Sequence, residues 1–178
     1  MTALGSRTFV AYVEDKPGVL NRVASLFRRR NFNIESLNVG KTHMPGVSRM
    51  TFVASADRDT ALRVEANLYK LVNVLHVEDI TDAPAVYRLL ALIKVRVEPA
   101  QRPEVLQLCE VFRAKVVDVS AATLMIELAG TSEKVDGLVA VLRPYGIEEL
   151  VQTGVVAMER GSGHGPSLAS ASLRPRFD

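Results

Sequence analysis

Six residues in this chain have types and spacing suited to recognition chemistry: Asp15, Gly18, Val19, Leu20, Asn33 and Ile34. The first four fall in Val13-Glu14-Asp15-Lys16-Pro17-Gly18-Val19-Leu20, where an alternating apolar run (Phe9, Ala11, Val13) stops at a polar turn and a helical pattern begins at once. The turn reads as a helix N-terminus, with Pro17 at the first helical position and the Asp15 carboxylate capping the Gly18 N–H. Gly18 carries no Cβ to block an incoming group. The N–H donors of Gly18, Val19 and Leu20, helped by the helix dipole, therefore make a small anion site. Asp15 beside it would repel a phosphate. A zwitterion suits both halves, with its carboxylate on the N–H groups and its ammonium near Asp15. Asn33 adds an amide that donates and accepts, and Val19, Leu20 and Ile34 offer an aliphatic wall for a branched side chain. This is the chemistry of a free amino acid. A Pro-Gly turn of this kind also opens many ordinary helices, so alone it marks a candidate only.

The elements that must position these residues follow from apolar periodicity. Arg7 to Glu14 alternates as a strand, and Val19, Leu20, Val23, Ala24, Leu26 and Phe27 recur at helical spacing from Pro17 to Arg30. Asn33 to Lys41 and Ser48 to Ser55 form a hairpin around Met44-Pro45-Gly46; a helix runs from Asp57 to about Lys70, and Val74 to Ile80 is a closing strand. After a turn at Thr81-Asp82-Ala83-Pro84 the pattern repeats. Val86 to Val97 is a strand, Pro103 to Arg113 a helix, Lys115 to Ser120 and Thr123 to Ala129 a hairpin; a helix capped by Thr131 or Ser132 reaches Arg143, and Ile147 to Met158 is the last strand. The fold class is α+β, two tandem βαββαβ ferredoxin-like domains whose antiparallel sheets carry helices on one face. The boundaries fall at residues 1–82, 83–160 and a tail, 161–178, rich in Gly, Ser, Pro and Ala that is expected to be mobile. Val13-Glu14 and Pro17-x-Val19-Leu20 are echoed by Val97-Glu98 and Pro103-x-Val105-Leu106, but Glu104 stands where the first copy has Gly18. A second anion site is not expected.

Composition narrows the function classes. The chain has 178 residues, 48% hydrophobic and 24% charged, with a net charge of +2 and basic residues mixed among acidic ones, which argues against a nucleic-acid surface. Arg28-Arg29-Arg30, the one tight basic run, falls at a helix C-terminus, where cations complement the dipole. The single Cys109 excludes an internal disulfide and a cysteine-rich metal site. No signal-peptide pattern and no run of about 18 apolar residues is present, and a cytoplasmic location is expected. His43, His76 and His164 lack the spacing of a metal site, and no serine sits in a nucleophile motif. Gly161-Ser162-Gly163-His164-Gly165 has no helix behind it to hold phosphate. No catalytic residue and no metal ligand is expected in this chain.

Four blocks in order, Val13 to Leu20, Phe32-Asn33-Ile34-Glu35-Ser36-Leu37, Ser48-Arg49-Met50-Thr51 and Lys70-Leu71-Val72-Asn73-Val74, closely resemble the N-terminal ACT domain of the regulatory small subunit of acetolactate synthase. The likeness continues through Phe112-Arg113-Ala114, Val117-Asp118-Val119-Ser120, Leu128-Ala129-Gly130-Thr131-Ser132-x-Lys134 and Gly154-Val155-Val156. The resemblance implies a non-catalytic chain, itself without cofactor, that acts in branched-chain amino acid biosynthesis. Its partner would be a catalytic large subunit carrying thiamine diphosphate, Mg2+ and FAD. It would raise that subunit's activity and confer feedback inhibition by valine or a related branched-chain amino acid held between two ACT domains of a homodimer. By motif position Asp15, Gly18, Val19 and Leu20 of one protomer would face Asn33 and Ile34 across the interface. Many members have Asn where this chain has Asp15. A free-standing amino-acid-responsive ACT protein acting on another partner is the alternative. An RNA-binding module would need paired aromatics that Val10-Ala11-Tyr12 and Met50-Thr51-Phe52 do not supply.

Overall fold

The computed structural model describes residues 5–161. The expectations for residues 1–4, His164 and the tail beyond Gly161 lie outside the described residues. Two compact units divide the chain: one holds the residues to Val86 together with those from Val155, the other Tyr87–Gly154.

The first unit contains strand β1 (Gly5–Glu14), helix α1 (Val19–Arg29), the hairpin β2 (Ile34–Lys41) and β3 (Val47–Ala56), helix α2 (Arg58–Leu68) and strand β4 (Val74–Asp79). The strands form an antiparallel sheet in the order β2-β3-β1-β4. Alternation along β1 sends Phe9, Ala11 and Val13 to the helix side, where they meet Val23, Leu26 and Phe27 of α1 and Ala61, Val64 and Leu68 of α2 in one buried cluster. Phe9 stacks on Phe52 at 5.1 Å between ring centroids, and Phe27 meets Phe52 edge-on at 5.0 Å, the geometry aromatic quadrupoles prefer. Helix α2 starts where the sequence signalled it, with the Asp57 carboxylate accepting the Thr60 N–H at 2.8 Å. Strand β2 is an edge, and it carries a bulge between Ile34 and Ser36 that leaves Glu35 as the extra residue.

The second βαββαβ pattern comprises β5 (Ala85–Arg96), α3 (Arg102–Val111), β6 (Lys115–Val119), β7 (Thr123–Gly130), α4 (Ser132–Leu142) and β8 (Ile147–Gln152), with strand order β6-β7-β5-β8. Ala91, Ile93 and Val95 of β5 and Leu124, Ile126 and Leu128 of β7 are buried, as are Val105, Cys109, Val135, Leu138 and Leu142 from the two helices. Thr131 caps α4 through its hydroxyl, which accepts the Lys134 N–H at 3.4 Å.

The strand expected over Ile147 to Met158 is two strands. Strand β8 stops because the Thr153 hydroxyl, in place of a backbone carbonyl, accepts the Leu90 N–H at 3.0 Å. Strand β9 (Val156–Glu159) pairs with β5 and clusters with the first unit. There the Val155 N–H donates to Ser36 Oγ at 3.0 Å, Arg49 donates to the Ala157 carbonyl, and Arg160 N–H donates to Pro84 O at 2.7 Å. The residues around 155–160 are thus a return segment that pairs with β5 of the second pattern, as the periodicity had it, and also bonds Ser36 and Arg49.

Candidate functional site

The Pro-Gly turn closes on itself before the helix begins. Val19 N–H donates to Lys16 O at 3.4 Å, and Gly18 sits at φ 81°, ψ −4°. Those are the angles of the third residue of a type II β-turn, with Pro17 pre-setting the second. Pro17 is therefore not the first helical residue; α1 starts at Val19, and Gly18 precedes it in a conformation that favours glycine. The expected Asp15 cap is absent as well, since no side chain caps α1. Asp15 is instead anchored toward the hairpin: its N–H donates to Gly46 O at 2.8 Å, its Oδ1 accepts from Ser48 Oγ at 3.2 Å, and Lys41 Nζ stands 3.9 Å from Oδ2. Asn73 holds the other flank, its carbonyl accepting the Glu14 N–H at 2.9 Å and its Oδ1 accepting from Arg22 at 2.9 Å.

This geometry changes which donors are available. The Val19 N–H is used within the turn, whereas those of Gly18, Leu20 and Asn21 have no backbone acceptor among the described residues. The first turn of α1 contains no acidic side chain. Three N–H groups at a positive helix end, with one exposed carboxylate alongside, still match a zwitterion. The aliphatic wall is also redistributed. Val19 is 4% exposed and packs into its own core, while Leu20 is 44% exposed and free to contact a ligand.

Asn33 and Ile34 lie elsewhere. They follow the C-terminal end of α1, an 11-residue helix, so roughly 16 Å of helix separates them from the turn. The sheet register agrees: Glu14 pairs with Val47 while Ile34 pairs with Ala54, seven residues further along β3, a span of about 24 Å. Within one copy, Asp15, Gly18, Val19 and Leu20 are brought together, and Asn33 and Ile34 are not brought to them. Asn33 is exposed and Ile34 half-buried against the core.

Comparison with known proteins now bears on this arrangement. Residues 9–76 match the family of AHAS small subunit-like ACT domains, and residues 88–161 match the family described as the small subunit of acetolactate synthase. The acetolactate synthase small subunit of Mycolicibacterium smegmatis is 48% identical over 156 residues, spanning 88% of this chain and 92% of that protein. That of Bacillus subtilis is 43% identical over 157 residues, spanning 88% and 91%. The crystal structure of the Thermotoga maritima small subunit superposes with a TM-score of 0.84 at 38% identity, covering 89% of this chain and 99% of the other. This chain belongs to the acetolactate synthase small-subunit family.

As a small subunit the chain is a regulatory component, and its second βαββαβ pattern shows why the repeat does not duplicate the site. The equivalent helix start is filled by its own side chains. Glu98 and Gln101 form a reciprocal capping box, and Arg102 donates to the carbonyls of Ser120 and Ala121, the latter at 2.6 Å. Glu104 occupies the first turn of α3. Burial, followed by a hydrogen bond to Glu104, raises the Tyr145 hydroxyl above its usual range.

The other reactive side chains of this small subunit have structural partners. His76 stands 3.4 Å from the Tyr69 hydroxyl and 3.4 Å from Glu78, and burial pushes the Cys109 thiol up. Among the described residues no three His, Cys, Asp or Glu side chains gather in a way that could hold a metal, and no helix is long and apolar enough to cross a membrane. Sequence reading missed Ser48, Lys41 and Asn73, the residues that orient the turn. Ser48 and Asn73 were signalled only by membership of the Ser48-Arg49-Met50-Thr51 and Lys70-Leu71-Val72-Asn73-Val74 blocks, and Lys41 by neither.

Proposed function

We propose that this small subunit binds a branched-chain amino acid such as valine at a seam between two copies of itself, activates a catalytic large subunit, and transmits feedback inhibition to it. Asp15 and the N–H groups of Gly18 and Leu20 would take the ammonium and carboxylate, with Val19 shaping the turn from beneath; Asn33 and Ile34 of the second copy would close the site. Thiamine diphosphate, Mg2+ and FAD would reside in the large subunit, and the assembly would work in the cytoplasm.

The observation that supports this reading is the separation of the two half-sites along one chain. Strand β2 is an eight-residue edge whose backbone groups invite pairing. Antiparallel pairing of β2 with β2 of a second copy, about a two-fold axis between Leu37 and Asn38, sets Ile34 of one copy opposite Lys41 of the other. Lys41 pairs with Ser48, and both contact Asp15. The symmetry that satisfies the edge therefore reunites the half-sites, twice per dimer. A ligand there couples occupancy to the orientation of the copies, as allosteric control requires.

Mixed dimers test this. Gly18→Asp disables the turn and Asn33→Asp the opposite half, so neither variant alone should give valine heat in calorimetry. After subunit exchange, half the dimers pair one of each, and each of those has one seam with both halves intact. About a quarter of the wild-type sites should return. No recovery on mixing would place the site within one copy and sink the proposal.

A further inference from the structure

We propose that the groove between α1 and α2 of the first unit docks a carboxylate-bearing segment of the catalytic large subunit. This inference rests on the regulatory reading above and names a surface through which it acts.

The groove is a hollow of about 460 Å³ lined by Leu26, Arg29, Arg30, Asn67, Lys70 and Leu71. Its two leucines form an apolar floor, and every charged group on its walls is a cation. Among the described residues, none of the three cations has an ion-pair partner. Asn67, only 9% exposed, is held in place from two sides: its amide donates to Arg63 O at 2.7 Å, and its Oδ1 accepts from Lys70 Nζ at 3.2 Å. That contact draws Lys70 toward the cavity wall. Helix-dipole complementation accounts for Arg29 in the last turn of α1. Lys70, just past the C-terminus of α2, is favoured by that helix's dipole in the same way, but neither dipole accounts for its meeting the α1 arginines at one hollow. Three like charges about one cavity repel unless an anion joins them.

The charge pattern selects acidic groups, and the leucine floor selects a ligand with apolar parts beside them. An Asp- or Glu-containing segment with an aliphatic neighbour offers both. The groove is also separate from the turn at the start of α1, so a partner seated there leaves Asp15 and Gly18 open to the effector.

The test uses the full chain with its catalytic large subunit, reading half-activating concentration and co-sedimentation at low and high salt, with valine calorimetry on the chain alone. Arg30→Glu combined with Lys70→Glu should raise the half-activating concentration by on the order of tenfold or more at low salt, flatten its salt dependence, and leave valine heat unchanged. The swap Arg30→Lys with Lys70→Arg, which keeps the charge, should activate as wild type does. Activation by the reversed pair at wild-type concentrations overturns the proposal. So does a swap that fails as badly as the reversal, because shape and not charge would then be read. So would inorganic phosphate or acetate binding saturably in the groove while partner binding is unaffected. Should wild type itself neither bind nor activate the large subunit, the regulatory reading falls first, and the two failures stay distinct.

Discussion

Substituting Gly18 by Asp separates the two properties that the turn supplies, backbone shape and positive potential. At φ 81° an L-residue is strained, although a Cβ built there meets nothing within 4 Å, so the cost is conformational and not a clash. It amounts to roughly 1–2 kcal/mol, which lowers the melting temperature of a unit this size by on the order of 5–15 °C. An aspartate is well accepted in a regular first turn, but at this left-handed backbone the fold gives up some stability. The charge acts on binding. A carboxylate at this position displaces the effector's own carboxylate from the free N–H groups, removing charge-assisted hydrogen bonds worth about 1.5–3 kcal/mol and adding like-charge repulsion. At about 1.4 kcal/mol per decade, valine affinity should weaken on the order of 100-fold. Gly18→Asn is the control, because it carries the same backbone strain without the charge. Calorimetry with valine should rank wild type, Asn and Asp in falling affinity, with the larger step between Asn and Asp. In the reconstituted complex, acetolactate formation by the Asp variant should persist yet no longer respond to valine. If the Asp variant remains fully inhibited at wild-type valine concentrations, or if Asn and Asp weaken binding equally, the carboxylate does not meet this helix end and the site is misplaced.

Three further outcomes follow from particular contacts. Ser48→Ala removes the hydroxyl that steadies Asp15; losing one hydrogen bond to a charged group should weaken valine binding by on the order of tenfold to a hundredfold at most, and an unchanged isotherm would show that Asp15 needs no such support. Glu65 has its carboxyl raised above the usual range, by burial first and then by the Asp79 charge, against the opposing Asp79 N–H bond, His76 and Arg7. The native state therefore holds its proton more tightly than the unfolded chain, and stability falls as pH climbs from the unfolded value through the raised one. Glu65→Gln can still accept the Asp79 N–H, so its melting temperature relative to wild type should rise between about pH 4 and 7, and a flat difference refutes the argument. A fragment ending at Val86 loses the bonds from Ser36 and Arg49 to the return segment, so urea unfolding should find it less stable than the first unit in the full chain.

Most of the architecture was legible because apolar periodicity is a direct record of which face is buried. Phe9, Ala11 and Val13 alternate and are buried together, and Asp57 and Thr131 mark helix starts that they cap. What escaped notice depends on long-range register. Nothing local to Asp15 announces that its carboxylate will accept from Ser48, 33 residues away, in preference to the nearby helix end. Pro17 and Gly18 were legible as a turn but ambiguous between a helical first residue and a type II turn, since both readings fix proline φ near −65°. The break after Gln152 was hidden because Leu150-Val151 and Val155-Val156 flank Thr153 and Gly154, and only the folded chain shows the Thr153 hydroxyl taking the Leu90 N–H. The six candidate residues were visible as types, and the distance that α1 puts between the turn and Asn33 within one copy followed from its helical period.

The return segment gives this protein an order of assembly during synthesis. A chain emerging from the ribosome completes β1 to β4 early, but the residues that Ser36 and Arg49 hold, Val155 and Ala157, follow the whole of Tyr87–Gly154. At roughly 5–20 residues per second, translation delays them by several seconds. For that interval Arg49 keeps its bonds to Tyr12 and Thr51, but it and the Ser36 hydroxyl lack their partners in the return segment. The last-made residues of the described chain thus complete side-chain bonds of the first-made sheet, and ribosome stalling ahead of Val155 would leave the sheet folded with those bonds unmade.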